Sequence, residues 1–500
     1  MRRIGQRSKW AAIALGLLAP LATPGRALAQ QDSWDAVFLS GSKVGHMHTT
    51  VEPLQERGRK LVRVRVNFNL SFKRGKDTAT MELEYGTIET PEGEVLRLDT
   101  RTHASQQVMR VHGDVVDGKM TLKIDGGNQR QQEVIPWGPE VRGPYGPEQS
   151  FSRSPMKPGE VRKLKTFVPD LNKVAEATLT ARAVEPIALG GGVNRDVLRV
   201  DQELTALDGK KMPEMSQTFW VDSAGQVLKT HNDAFGGMVT YRTTKEGALK
   251  PPAEGQQFDL IQGLVVKIGR KITRPEESRS VVYKVTMPEA DPGQFFPNDR
   301  RQSTKPGPDS HSAILEVKTA GPDDGPAGPE TVGPEFLRSN PLVNSDDAGV
   351  IALSRRAIGA ASAPWAKARA INKWVAVNMK DKNFSTSFAA ADEVARTLSG
   401  DCTEHGVLTA AMCRAQGIPA RVVVGLVYAT SLGGFGFHMW NEVYVNRRWV
   451  AIDSAFDQDA VDAVHLKLSD TSLDGVSPFE TFTSVVRVAN KLKLEAVEVR

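Results

Sequence analysis

Between Trp34 and about residue 250, hydrophobic and polar positions alternate along the chain. In LVRVRVNFNLSF, Val62, Val64, Val66, Phe68, Leu70 and Phe72 alternate with Arg63, Arg65, Asn67, Asn69 and Ser71, which predicts a long strand with one dry face and one wet face. A turn at Gly75 follows, and Met81, Leu83 and Tyr85 carry the alternation through TATMELEYGTIE. Asp117-Gly118 separates two further apolar runs as a tight hairpin turn does. The stretch from Pro158 to Tyr241 repeats the style in ATLTARAVEPIAL, RDVLRVDQEL, SQTFWVDSAGQVLKT and GGMVTY. The pattern predicts one large antiparallel all-β region over 31–250, able to curve around a groove. Such a groove suits an acyl chain, a peptide or a polymer, and a plain scaffold accounts for the same pattern. His46 and His48 share one face of a strand, as a metal pair would, but no third ligand accompanies them.

A second β-rich section, 255–335, has LIQGLVVKI, SRSVVYKVTM and AILEVK as its strands. It closes on GPDDGPAGPETVGPE, whose proline and glycine density reads as a linker. Over 340–500 the pattern turns partly helical. One helix starts at Asp346 and Asp347 and continues through VIALSRRAIGA. Another begins at Pro364, a residue suited to a first turn, and a short one spans Ala391 to Leu398. Asp401 suits an N-cap, and Leu408, Ala411, Met412 and Ala415 recur at helical spacing, so Cys402 falls in the first turn of a buried helix.

Arg421 to Tyr428 is a β-branched run typical of a buried strand. His438 to Val445 and Trp449 to Asp453 then read as a hairpin. A loop of Asn446 and Arg447 pairs Val445 with Arg448 and sets Asp453 opposite Trp440, so His438 and Asp453 become diagonal neighbours on one face. A slip of one residue would put them on opposite faces. Asn446 suits a positive φ, while Arg447 stands where glycine is expected. Between strand and hairpin, SLGGFGF predicts a flexible loop through Gly433, Gly434 and Gly436, either a gate to a cleft or an ordinary connection.

Cys402, His438 and Asp453 together supply a thiol, an imidazole and a carboxylate in the order a cysteine acyl-transfer site uses. The positive end of a helix and a nearby imidazolium can bring a thiol from a pKa of about 8.5 to between about 3.5 and 7.5, and the thiolate is the nucleophile. Cys413 is the other cysteine. It lies eleven residues along the same helix, about 16 Å away at about 1.5 Å per residue, so the two cannot form a disulfide and Cys413 reads as core. Glu404 and His405 adjoin Cys402, but no second cluster has zinc spacing, and no metal is expected.

The segments GDCTEHG, GIPARVVVG, HMWNEVYV and RRWVAID resemble the core of the transglutaminase-like superfamily, over about residues 346 to 470, roughly a quarter of the chain. The resemblance implies an α+β fold. Its papain/transglutaminase-like C-terminal domain would pack a helix-borne cysteine on an antiparallel sheet, behind the large all-β N-terminal region. It also implies a thiol enzyme performing acyl transfer on amide or peptide bonds, with Cys402 as nucleophile, His438 as base and Asp453 as its orienting acid. The backbone N–H of Cys402 is the expected oxyanion donor. Asp401 and Trp440 flank the cleft, Trp440 either walling it or packing beneath it. No cofactor is implied.

The superfamily includes cross-linking transglutaminases, peptidases and deglycosylating amidases. Hydrolysis is favoured here, since water is always present and cross-linking requires a bound amine acceptor. The expected partner is a protein or peptide substrate, or a cell-envelope polymer. A binding or assembly protein of the envelope, with a vestigial triad, is the alternative.

Residues 1–29 read as a secretory signal: Arg2, Arg3, Arg7 and Lys9, then WAAIALGLLAPLA, then Ala27-Leu28-Ala29. Cleavage would leave no membrane span and a periplasmic or secreted protein, whereas an uncleaved signal would anchor it. The five basic residues of that segment account for the whole formal charge of +5, so the remainder is neutral and nucleic acid is not an expected partner.

Overall fold

The computed structural model describes residues 30–500, apart from 105–106, 127–128, 190–192, 233–236, 253–256, 289, 325–331, 383–388, 475–480, 482–483, 486 and 490. The expected signal, and residues 325–331 of the proline- and glycine-rich linker, lie outside the described part. The fold is α+β.

Fifteen strands between Gln31 and Thr243 form one sheet. It consists of two meanders. One runs outward from Gln31–Leu39 to Gln129–Pro136, and the other returns from Val141–Arg142 to Met238–Thr243. They join where the first strand pairs the last, Trp34 opposite Thr243 and Leu39 opposite Met238. LVRVRVNFNLSF lies in Arg59–Arg74, and its alternation explains its place: Val62, Val64 and Val66 are buried while Arg65 is exposed. Asp117 and Gly118 both take positive φ, 48° and 72°, and close a two-residue hairpin.

The sheet folds over on itself. Leu98, Val111 and Leu122 of the first meander share a core with Val141, Phe167 and Val174 of the second. A short helix, Gly146–Arg153, enters between the halves, where Phe151 meets Phe219 edge-on at 5.4 Å.

Two smaller sheets follow. One has Gln302–Pro306, Ser312–Lys318, Ser280–Thr286 and Lys493–Val499 in that order. The other orders Val266–Lys267, Gly434–Val445, Ala420–Ala429 and His465–Thr471, with Arg448–Ile452 also paired to Gly434–Val445. Both share one core with the helices Ala348–Ile358, Pro364–Asn378, Ala391–Thr397 and Cys402–Ala415. Asp347 caps the first of these helices, and Pro364 opens the second. Among the described residues no helix is long and apolar enough to cross a membrane.

Two local expectations are corrected. LIQGLVVKI is not one strand: Asp259 accepts from the N–H groups of Ile261 and Gln262 at 2.9 and 3.2 Å, which starts the helical turn Leu260–Gly263 and leaves only Val266–Lys267 extended. Nor is SLGGFGF a flexible gate. The turn ends at Gly433, and Gly434–Phe437 continue the strand, with Gly434 paired to both Ala429 and Lys267. A Cβ at Gly434 would lie 2.7 Å from the Val266 carbonyl oxygen, so this glycine permits close strand approach rather than motion.

Candidate active site

Gly400, Asp401 and Cys402 form a tight helix start. Gly400 has φ of 135°, and a Cβ there would come within 2.5 Å of Glu404 Cγ. Asp401 accepts from the Thr403 N–H at 2.7 Å, and Glu404 reaches back to accept from the Asp401 N–H at 3.0 Å, a full capping box. The other Glu404 oxygen accepts from the Ala389 N–H at 3.0 Å, which ties the incoming chain to the helix. Burial, with repulsion from Asp401, pushes the Glu404 carboxyl well above the usual carboxylate range. Asp401 is buried, and its Oδ1 is engaged by the cap.

Cys402 is the first helical residue and is half-buried. Cys413 is fully buried, and desolvation pushes its thiol up to about 12. On the following turns of this helix, Gly406 packs on the strand that carries His438, and His405 and Thr409 meet Ser454, the residue after Asp453. The Gly406 carbonyl accepts from Asn441 Nδ2 at 2.9 Å, and Thr409 Oγ1 lies 2.9 Å from Ser454 Oγ.

His438 is paired to Gly425 in the strand Gly434–Val445. The hairpin keeps the expected register from Val445 opposite Arg448 to Asn441 opposite Ile452, with Asn446 and Arg447 both at positive φ, 50° and 62°. The ladder stops one pair before Trp440 because the Asp453 backbone bonds to Gln458 in both directions, at 2.7 and 2.8 Å. That turn aims the Asp453 side chain back: Oδ2 accepts from His438 Nε2 at 2.7 Å, and Oδ1 from the N–H groups of Ala455 and Phe456 at 2.8 and 3.2 Å. Burial alone would raise this carboxyl, but His438 and the bonds from two imidazoles hold it far below the usual range.

The second imidazole is His465, which opens the strand His465–Thr471. Its Nε2 lies 3.1 Å from Asp453 Oδ2, and its Nδ1 lies 2.6 Å from Asp462 Oδ1. Burial would lower this ring, yet the two carboxylates outweigh it and raise it, which favours the imidazolium. His438, Asp453 and His465 offer ligand atoms within 4.8 Å of one another, the spacing of a metal site. Hydrogen bonds already join those atoms, with both Nε2 atoms on Asp453 Oδ2. Trp440 is 1% exposed and packs with Val423, Ala451 and Val461, so it lies beneath the histidines rather than walling an open cleft. Phe456 takes the outer position: half-exposed, it stacks on His438 at 4.7 Å and 26°.

Residues 351–454, which include Cys402, His438 and Asp453, match the transglutaminase-like superfamily. This segment is a transglutaminase-like core. No curated protein matches the chain in sequence. Several solved structures show slight likeness, among them the following three. A candidate cysteine protease from Cytophaga hutchinsonii has 16% identity over 43% of this chain and 83% of its own, with a TM-score of 0.29. The periplasmic domain of TgpA from Pseudomonas aeruginosa, bound to ethylmercury, has 17% identity over 36% and 91%, with a TM-score of 0.22. A β-barrel-like protein of unknown function from Brucella abortus has 12% identity over 43% and 98%, with a TM-score of 0.31. Likenesses this slight say nothing about activity.

Just beyond the matched segment, the sequence alone did not mark His465, Asp462 or Phe456. Asp462 and His465, three apart in DAVH, carry no periodic signal. The alternation in His465–Thr471 marks a strand and leaves its chemistry silent. Phe456 follows Asp453 by three residues in a turn, where an aromatic side chain reads as incidental.

Proposed function

We propose that this protein is a thiol enzyme that performs acyl transfer on an amide or peptide bond, with hydrolysis favoured over cross-linking. The observation that carries the reading is the buried 2.7 Å bond between His438 Nε2 and Asp453 Oδ2. It commits one ring nitrogen to the acid and leaves Nδ1 as the nitrogen for the sulfur of Cys402. Asp453 thereby fixes the tautomer.

The Cys402 thiolate attacks the carbonyl carbon; a C–S bond forms and the carbonyl oxygen takes the charge, facing the positive end of the cysteine helix. The His438 imidazolium gives its proton to the leaving nitrogen, the C–N bond breaks, and a thioester remains. His438 then takes a proton from water as the oxygen attacks the thioester; the C–S bond breaks and the thiolate returns. An amine in place of water would give a new amide by the same steps.

The histidine and carboxylate cluster supports activity over a vestigial triad. Two buried carboxylates and two imidazoles carry a desolvation cost that an apolar core would avoid. His465 acts as a positioning residue, holding Asp453 from the side opposite the two backbone N–H groups.

The proposed substrate is a protein, a peptide or an envelope polymer, met after export under the signal read at 1–29. The test is to incubate wild-type and Cys402→Ala protein with envelope extract, with and without a labelled primary amine, and to read products by mass spectrometry. Cleavage that needs Cys402 and incorporates no amine is expected. Amine incorporation would replace hydrolysis by transfer, and identical products from both proteins would remove the enzyme reading.

A further inference from the structure

The folded-over N-terminal sheet leaves a space between its meanders. On the dry face of Arg59–Arg74, Val62, Val64 and Val66 are buried, while Phe68 and Leu70, further along the same face, are only half-buried. Met81 and Leu83 on the neighbouring strand repeat this. Large apolar side chains that stop short of close packing mark an unfilled site. They line a cavity of about 280 Å³, whose lining also includes Leu204, Phe219 and Met238. A dry cavity of about 150 Å³ suffices to hold benzene.

The cavity is not uniformly apolar. Among the described residues that line it, Glu148 is the one charged side chain, and Gln202, Gln217 and Asn232 add amides. Glu148 Oε2 and Gln202 Oε1 are buried acceptors with no hydrogen-bond donor. Burial pushes the Glu148 carboxyl up to about 7; a bond from its own backbone N–H and the charge of Arg242 oppose the rise, and Asp35 adds to it. Arg242 spends its Nε on Asp35 Oδ1 at 2.9 Å. Both acceptors face the cavity without a protein donor, and a carboxyl at about 7 can pass its proton to a bound amine, whose ammonium then donates back. An anionic ligand such as a fatty acid would find no lining base to pair with it.

We propose that the N-terminal sheet binds a small apolar amine, its hydrocarbon body in this cavity and its ammonium group donating to Glu148 and Gln202. The site is independent of Cys402, and its occupancy needs no turnover.

The test uses the full chain and a neutral environment-sensitive dye, displaced in turn by decylamine, decanol and decanoate. Decylamine should displace the dye at roughly tenfold lower concentration than decanol, with decanoate weakest; tenfold corresponds to about 1.4 kcal/mol. Glu148→Gln should remove the advantage of the amine and leave decanol unchanged. Leu83→Trp and Met238→Trp, at two separate lining positions, should each fill the cavity and abolish dye binding. Cys402→Ala should behave as wild type, which separates this site from the thiol reaction. Three results would overturn the proposal: decanoate matching decylamine, an amine preference that survives Glu148→Gln, or dye binding retained in tryptophan variants that melt like wild type. Should both tryptophan variants fail to fold, Glu148→Gln still decides the matter.

Discussion

Replacing His465 by Gln removes a buried cation from between two carboxylates. Asp453 loses the donor at 3.1 Å but keeps His438 and two backbone N–H groups; Asp462 loses the one at 2.6 Å but keeps Gln458 Nε2 at 2.8 Å and the Val464 N–H at 3.1 Å. A hydrogen bond to a charged group contributes about 1.5–3 kcal/mol, and glutamine can replace one of the two, so the expected net loss is about 3 kcal/mol. For a folding unit of about 150–250 residues that is roughly 6–12 °C in Tm.

The pH dependence has a defined sign. His465 is raised in the folded state, so its contribution is complete below about 6.5 and is lost as pH rises through its folded-state value. Asp453 is depressed, so its contribution is present above about 4 and is lost only as pH falls through its own folded-state value. The gap between wild type and His465→Gln should therefore be widest near pH 6 and narrower at pH 9. Melting followed by tryptophan fluorescence at both pH values reads it, and iodoacetamide labelling of Cys402 reports whether His438 is still held. A gap at pH 6 below about 0.5 kcal/mol, or the same gap at both pH values, would refute the reasoning that a buried imidazolium is held there.

Four further outcomes follow from the geometry. Asp401→Ala should cost about 1–2 kcal/mol through the lost cap and slow alkylation of Cys402, measured by unfolding and by mass spectrometry. Arg447→Gly should raise stability by about 0.5 kcal/mol, because a side chain at φ of 62° is strained and glycine is not, although glycine loses more entropy on folding. Gly425→Ala should cost about 3 kcal/mol or prevent folding, since its Cβ would sit 2.1 Å from the Leu466 carbonyl oxygen and 2.7 Å from the Trp440 ring. Mild alkylation of the folded protein should label Cys402 alone, with Cys413 labelled only after denaturation; equal labelling of both would contradict the burial of Cys413.

The sequence and the structure agree most closely where one short segment carries its own physical cause. Asp401 before Cys402, with Glu404 three residues on, specifies a helix start by local hydrogen bonds. Asn446 at a two-residue loop specifies the hairpin register, and with it the face that His438 shares with Asp453. The glycines of SLGGFGF misled for an equally physical reason. Gly434 tolerates a neighbouring strand's approach, and a single chain does not distinguish that use from flexibility, because the neighbour is Val266, far off in sequence.

What the chain alone determined is therefore most of its local elements, and it put forward Cys402, His438 and Asp453 as the candidate site, since caps, turns and alternation act over a few residues. Tertiary structure decided the rest. His465 and Asp462 matter because sheet pairing delivers them beside Asp453. Phe456 matters because a backbone-closed turn lays its ring on His438. The cavity above Glu148 exists because two meanders joined at Trp34 and Thr243 fold together without filling the space between Phe68 and Phe219. Each depends on groups brought together from distant parts of the chain, and no local pattern records such meetings.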